Sequence, residues 1–444
     1  MDYISTTEKE SKKMLETVGV KDAGELFSAI PSVARINELK LPGGIPELAL
    51  TREFEALARK NASLDEYACF RGAGIYDHFV PALVGEITGR SEFSTAYTPY
   101  QPEASQGTLQ AIFEYQSMIC ALTGLDVANA SLYDGASSAA EAALLALRAT
   151  GRKKILISGA LHPEYRQVIY TYLQGTTAEI IEIPLKNGFT SLLKTRPMVD
   201  ADTAALIVQT PNFLGTIEDT ATFRELTKAA GALLITVVNP ISLGILKSPG
   251  EIGADIAVGE GQSLGNETGA GGITFGFMAC KKELTWKMPG RIVGQTTDNK
   301  GRRGFVLTLQ SREQHIRREK ATSNICTNSA LNALAGCVYL AGWGPAGLQQ
   351  LAEVNLAKSH YAFERISKIS GFNVAFPEQK FFNEFVLQTT KDIGQLEKKL
   401  LANKIIGPLA LRRFYPELSD CLLFCVTEMR TKAEIDSLVT LLAE

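Results

Sequence analysis

Ala232-Leu-Leu-Ile-Thr-Val-Val238 is apolar at six of its seven positions and is bounded by Gly231 on one side and Asn239-Pro240 on the other. A run this short is far below the ~20 residues of a membrane span. Its unbroken apolar character, with no alternation, is that of a strand buried on both faces. Similar runs stand on either side, at residues 154–158, 180–183, 205–208, 256–258 and 273–279. Helical patterns at 163–173 and 222–230 separate several of them. Short apolar strands alternating with helices make a mostly parallel sheet, so the fold class is α/β.

Upstream of this block, helices are expected at 109–123, where Ile112, Tyr115, Gln116 and Ile119 share a face, and at 138–150 after a glycine-containing turn. The first ninety residues read as helices joined by turns, with a capping box at Ser5 and Glu8, and form an arm. Downstream, a basic helix is expected at 309–320 and another at 329–339. The tail alternates strand and helix (372–376, 384–389, 393–402, 421–426, 431–442), as a small α+β domain does. The expected division is 1–90 arm, 91–325 large domain and 326–444 small domain.

Composition narrows the function. The 444 residues are 45% apolar and 21% charged, and 45 basic against 48 acidic residues leave a net charge of -3. That is an ordinary globular composition with no nucleic-acid footprint, no spanning segment and no secretory leader, so a cytoplasmic chain is expected. Seven scattered cysteines without a CxxC pair and four separated histidines speak against a disulfide framework or a metal site.

Three stretches carry chemistry. Tyr133-Asp-Gly135-Ala136-Ser137-Ser138 is a turn into a helix, where unpaired backbone N–H groups make an anion cup or an ordinary N-cap. The loop from Gly259 to Gly272 is dense in glycine, which permits close backbone approach to a ligand or a neighbouring chain. Tyr97-Thr98-Pro99-Tyr100-Gln101-Pro102-Glu103 is a stiff run of aromatic and polar side chains just before a helix. His78 reads as a general base or a structural histidine, and Arg312, Arg317 and Arg318 as anion contacts or a solvated face.

Together, Arg71-Gly-Ala-Gly-Ile-Tyr-Asp-His78, Tyr97 to Gly107, Tyr133 to Ala142, Val238-Asn-Pro-Ile-Ser-Leu-Gly244, Pro289-Gly-Arg-Ile-Val-Gly294 and Arg312 to Asn328 resemble the glycine-cleavage P-protein family. The likeness is to the first of the two subunits into which many bacteria split that enzyme. It implies the type I pyridoxal-phosphate-enzyme fold. It also implies decarboxylation of glycine on pyridoxal phosphate, with transfer of the aminomethyl group to the lipoyl arm of H-protein. Such an enzyme needs a lysine to hold the cofactor. At that place, after Ala254-Asp-Ile-Ala-Val258, the chain has Gln262, and an amide forms no imine. Where a carboxylate would pair with the pyridinium nitrogen it has Asn239.

The resemblance therefore implies a non-lysine subunit with no catalytic residue of its own and a vestigial cup at Gly135, Ala136 and Ser137. Pyridoxal phosphate would sit on a lysine-bearing subunit 2, in a two-plus-two heterotetramer. Tyr97, Thr98, Tyr100, Gln101 and Glu103 are the candidates for a wall of the partner's pocket. Two other readings stay open: a stand-alone pyridoxal-phosphate aminotransferase or lyase using another lysine, and a purely structural or regulatory paralogue.

Overall fold

The computed structural model describes residues 5–36, 39–269 and 272–444, so Ala270 and Gly271 of the glycine-rich loop lie outside the described residues. The chain forms two compact units, Met1–Asn61 and Ala62–Glu444.

In the first unit, Glu8–Val18 is helical because Thr7 accepts the Glu10 N–H while the Glu10 carboxylate accepts the Thr7 N–H at 2.8 Å. The capping box is thus Thr7 with Glu10, two residues beyond the expected Ser5 with Glu8. Asp22 caps the turn Ala23–Phe27, and Glu47–Ala58 is a second helix. None of these elements buries a residue, and Val33, Ile36, Leu41 and Phe54 stand in solvent.

Residues 62–90, grouped with the arm in the sequence reading, belong to the second unit. The strand Ala68–Cys69 pairs in parallel with Ile405–Ile406, and the helix Ala82–Thr88 packs on the helix Ala330–Ile366. The centre of this unit is a seven-stranded sheet in the order Val127–Ala128, Gly276–Cys280, Ile256–Glu260, Leu233–Val238, Thr203–Thr210, Lys154–Ser158, Glu179–Ile183. The last five in that order are parallel, and Gly276–Cys280 joins them antiparallel. Both faces are covered, which is why the strands read as continuous apolar runs. Ile155, Ile157 and Ile235 pack with Ala139, Ala142 and Ala146 of the helix Gly135–Thr150, while Leu156 and Leu234 pack with Phe223 on the other face.

A four-stranded antiparallel sheet follows (Phe372–Val374, Glu384–Thr389, Cys421–Cys425, Leu409–Ala410), covered by the helices Ile393–Ala402 and Lys432–Ala443. Two local expectations fail. The basic helix at 309–320 is three short turns, because Leu309 and Arg318 adopt φ of 55° and 51° and Arg312 turns inward onto the carbonyls of Met288, Gly290 and Leu309. The helix expected at 329–339 runs on to Ile366 through a kink at Gly344. A hairpin of Ile292–Thr297 with Arg303–Thr308 was not anticipated.

Candidate functional site

In a parallel sheet wound in two directions, ligands bind where the strand order reverses, outside the carboxyl ends of the strands. Here the chain leaves those ends at Gly159 to His162, at Asn239 and at Gln262, and the helix Gly135–Thr150 starts beside them.

Gln262 is 1% exposed and its amide is fully engaged. Oε1 accepts the Tyr76 N–H at 3.0 Å, and Nε2 donates to the carbonyls of Tyr76 (3.1 Å) and Asn266 (2.7 Å). It clamps the Arg71 to His78 segment onto the sheet. The same segment is held at its other side by Glu384, which accepts the Ala73 N–H at 2.6 Å and the Tyr76 hydroxyl at 2.7 Å. Burial pushes the Glu384 carboxyl up to about 7 against those two hydrogen bonds.

The expected anion cup is occupied by the chain itself. Asp134, rather than Ser137 or Ser138, is the N-cap, accepting the Ser137 N–H at 2.6 Å, while the Ser137 hydroxyl accepts the Asp134 N–H. The Gly135 N–H donates to Glu260 at 2.9 Å. The other oxygen of Glu260 accepts the N–H groups of Gln262 (2.9 Å) and Phe275 (3.2 Å). Burial pushes the Glu260 carboxyl up to about 7, with those three donors acting in the opposite direction. Over the same turn lies Tyr165, so close that a Cβ on Gly135 would stand 2.0 Å from its hydroxyl oxygen. The Tyr165 ring stacks on His162 at 4.8 Å between centroids. Burial lowers the His162 pKa, so the ring is neutral near pH 7; Nε2–H donates to the Ala73 carbonyl and Nδ1 accepts the Glu164 N–H.

Asn239 caps its own turn, accepting the Ile241 N–H at 3.0 Å. The glycine-rich loop spends its close approaches on the core: a Cβ on Gly259 would lie 2.4 Å from the Val238 carbonyl, and one on Gly261 would lie 2.2 Å from the Phe275 ring. Lys281 is tied to Asp255 at 2.6 Å, at the start of the strand whose other end leads to Gln262. Lys282 is exposed.

The other sequence candidates make their own contacts. Tyr97 is 80% exposed, Gln101 and Glu103 are exposed, and none of the three side chains makes a hydrogen bond among the described residues; Thr98 is half-buried. Tyr100 is anchored by buried Arg291, which donates to its hydroxyl at 3.1 Å and lies 5.4 Å from its ring centroid. Tyr97, Pro99, Arg291 and Asn328 line a small cavity of about 50 Å³. His78 sits in the fold on Glu428 at 2.8 Å, with Nε2 unpartnered among the described residues. Arg312 is a structural residue, as its carbonyl partners show.

Sequence reasoning missed Glu260, Tyr165, Tyr76 and Glu384. The available signal was two glutamates at the ends of otherwise apolar strands, Glu260 after Ile-Ala-Val-Gly and Glu384 before Phe-Val-Leu.

Pyridoxal phosphate, the cofactor that the resemblance implies, does not fit these residues. There is no amine at position 262, no carboxylate at 239, and a carboxylate and a phenol already stand at the helix N-terminus. We therefore derive no step through it in this chain.

The glycine cleavage system P-protein family model matches residues 1–442. A probable glycine dehydrogenase (decarboxylating) subunit 1 of Endomicrobium trichonymphae is 58% identical over 100% of both chains. A crystal structure of a glycine decarboxylase (P-protein) of the glycine cleavage system in inhibitor-bound form is 44% identical, with a TM-score of 0.92 over 100% of this chain and 99% of that one. Sphingosine-1-phosphate lyase of Burkholderia pseudomallei, 16% identical, shares the fold at a TM-score of 0.67 over 94% of this chain and 93% of its own. The fold is the type I pyridoxal-phosphate-enzyme fold, and the chain belongs to the glycine cleavage system P-protein family.

Proposed function

We propose that this chain is the subunit of a heteromeric glycine decarboxylase that does not hold the cofactor. With a lysine-bearing subunit 2 it decarboxylates glycine and passes the aminomethyl group to the lipoyl arm of H-protein. Pyridoxal phosphate, on the partner, supplies the electron sink for loss of CO2. The observation that carries the reading is Gln262: its amide is buried, its oxygen and nitrogen are both engaged by the chain's own backbone, and it cannot exchange an imine. The subunit 1 name of the relatives supports a divided enzyme. A two-plus-two assembly in the cytoplasm agrees with that reading.

This chain's contribution is positional. The Tyr97 to Glu103 run leaves the side chains of Tyr97, Gln101 and Glu103 without hydrogen-bond partners among the described residues while Arg291 holds Tyr100 in place, which suits a wall presented to the partner's pocket. The test is borohydride reduction with pyridoxal phosphate, on this chain alone and on this chain co-expressed with a lysine-bearing homologue, alongside glycine–bicarbonate exchange. Label on the partner only, and exchange that needs both chains, are the expected results. A stable label on a lysine of this chain, or full exchange by the partner alone, overturns the reading.

A further inference from the structure

We propose that the cofactor crevice of this chain is self-filled: the Glu260 carboxylate occupies the N-terminus of the Gly135–Thr150 helix and the Tyr165 ring lies across that turn, so pyridoxal phosphate is excluded by a plug that is independent of the missing lysine. The inference rests on the reading that this chain does not hold the cofactor, and it adds a second, separable cause.

The argument is electrostatic and steric. The helix is sixteen residues long, so its first turn concentrates about half a positive charge on unpaired N–H groups and attracts an anion. Glu260 fills that place, and the ionised fraction of its carboxyl, which burial pushes up to about 7, supplies the anion. Both of its oxygens are used, one on Gly135 and the other on Gln262 and Phe275. A phosphate brought to the same turn would have to displace a carboxylate held by three backbone donors, or stand beside it as a second negative charge.

Space closes the remaining approach. The 2.0 Å separation between a hypothetical Gly135 Cβ and the Tyr165 hydroxyl leaves no room for a phosphate oxygen over Gly135. On the sheet side, a Cβ on Gly276 would meet the Ser138 hydroxyl at 2.0 Å and the Asp134 carbonyl at 2.1 Å, so the helix start cannot retreat. Tyr165 is itself held against His162, whose ring is fixed by the Ala73 carbonyl. Gln262 completes the closure, with both of its amide N–H groups committed to backbone carbonyls and its oxygen held on the Tyr76 N–H. Glu260 and Gln262 stand together at one strand end and Tyr165 comes from the helix Pro163–Leu173, yet all three meet at one helix end.

The test uses the full-length chain and two probes. 4′-Deoxypyridoxine 5′-phosphate has no aldehyde, so its binding reports on the crevice without any lysine. Pyridoxal phosphate followed by borohydride reports on imine formation at a lysine. E260Q keeps the side-chain size and removes the charge; E260A/Y165A removes both parts of the plug; circular dichroism confirms the fold. We expect E260Q to bind deoxypyridoxine phosphate more tightly than the unsubstituted chain, and E260A/Y165A to bind it at least tenfold more tightly. We expect Q262K alone to remain unlabelled and E260A/Y165A/Q262K to take the label.

Unchanged affinity in both E260Q and E260A/Y165A overturns the proposal, as does stoichiometric labelling of Q262K with Glu260 and Tyr165 in place. The two failures are distinguishable. Borohydride label on a lysine of the unsubstituted chain sinks the cofactor-free reading, whereas binding of deoxypyridoxine phosphate to that chain as tightly as to E260A/Y165A, without label, sinks only the plug.

Discussion

Replacing Glu384 with glutamine should remove the pH dependence that this one buried carboxyl imposes on the fold. The group is 5% exposed at the start of the strand Glu384–Thr389, with the Ala73 N–H and the Tyr76 hydroxyl as its partners. Burial raises it from 4.5 to about 7, and the two hydrogen bonds only partly offset this. Between those values the folded chain keeps a proton that the unfolded chain has released. The group's favourable share of stability is therefore complete below pH 4.5, falls as pH rises, and is gone above pH 7. At ~1.4 kcal/mol per pH unit the whole interval amounts to about 3 kcal/mol. Glutamine does not titrate, and it can still offer an oxygen to Ala73 and an N–H to the Tyr76 oxygen. The stability of E384Q relative to the unsubstituted chain should thus climb by about 2–3 kcal/mol between pH 5 and pH 8. Equilibrium urea unfolding of the full-length chain at constant ionic strength, at five pH values across that range, measures it. A difference that stays flat refutes the assignment of burial as the dominant cause, and one that falls with pH shows that the carboxylate is stabilised in its charged form.

Glu428 should behave with the opposite sign. Burial alone would raise its carboxyl, but His78, the Phe79 N–H and the Asn355 amide together hold it below the ordinary 4.5. E428Q should cost about 2 kcal/mol at neutral pH, and urea midpoints should show that penalty fading only as pH falls through 4.5 and below. Gly261→Ala should cost ~1–3 kcal/mol in the same assay, because the new methyl would lie 2.2 Å from the Phe275 ring; an unchanged midpoint would mean that the strand end relaxes freely. Tyr100→Ala or Glu103→Ala should lower glycine–bicarbonate exchange of the two-chain complex about tenfold while its elution on gel filtration stays the same. Unchanged kinetics in both variants would remove the wall from the active site.

The parts of the fold legible in the sequence were those whose signal is local. Pro163–Leu173, Glu384–Thr389 and Ile393–Ala402 are read to the residue, because a proline start, an apolar run and an Asp392 cap each announce themselves within a few positions. The hairpin Ile292–Thr297 with Arg303–Thr308 escaped notice because its outer half is polar and basic and its turn is rich in charge. The long helix was cut at Tyr339 because Gly342, Gly344 and Pro345 together look like a terminator. In fact only Gly344 leaves the helical region, and Pro345 opens the next stretch without a donor to lose. The site divides in the same way. Gln262 is visible because its neighbours in the chain mark the place a lysine would take. Glu260 and Tyr165 are not, because their roles exist only once residues 135, 165 and 260 are brought together by the winding of the sheet.

The kinked helix Ala330–Ile366 has a mechanical consequence. Its early residues, Ala333, Ala335 and Tyr339, are set in the core beside the large sheet, and its last, Ala362 and Ile366, in the core of the four-stranded sheet. The segment beyond Gly344 rises roughly 30 Å at ~1.5 Å per residue, and its first turns, through Leu348, Leu351 and Ala352, are still seated in the first core. Gly344, at φ 60° and ψ 179°, is the one residue of this helix outside the helical region, so its dihedral angles set the direction in which a single element runs from the first core to the second and ties the two sheets together.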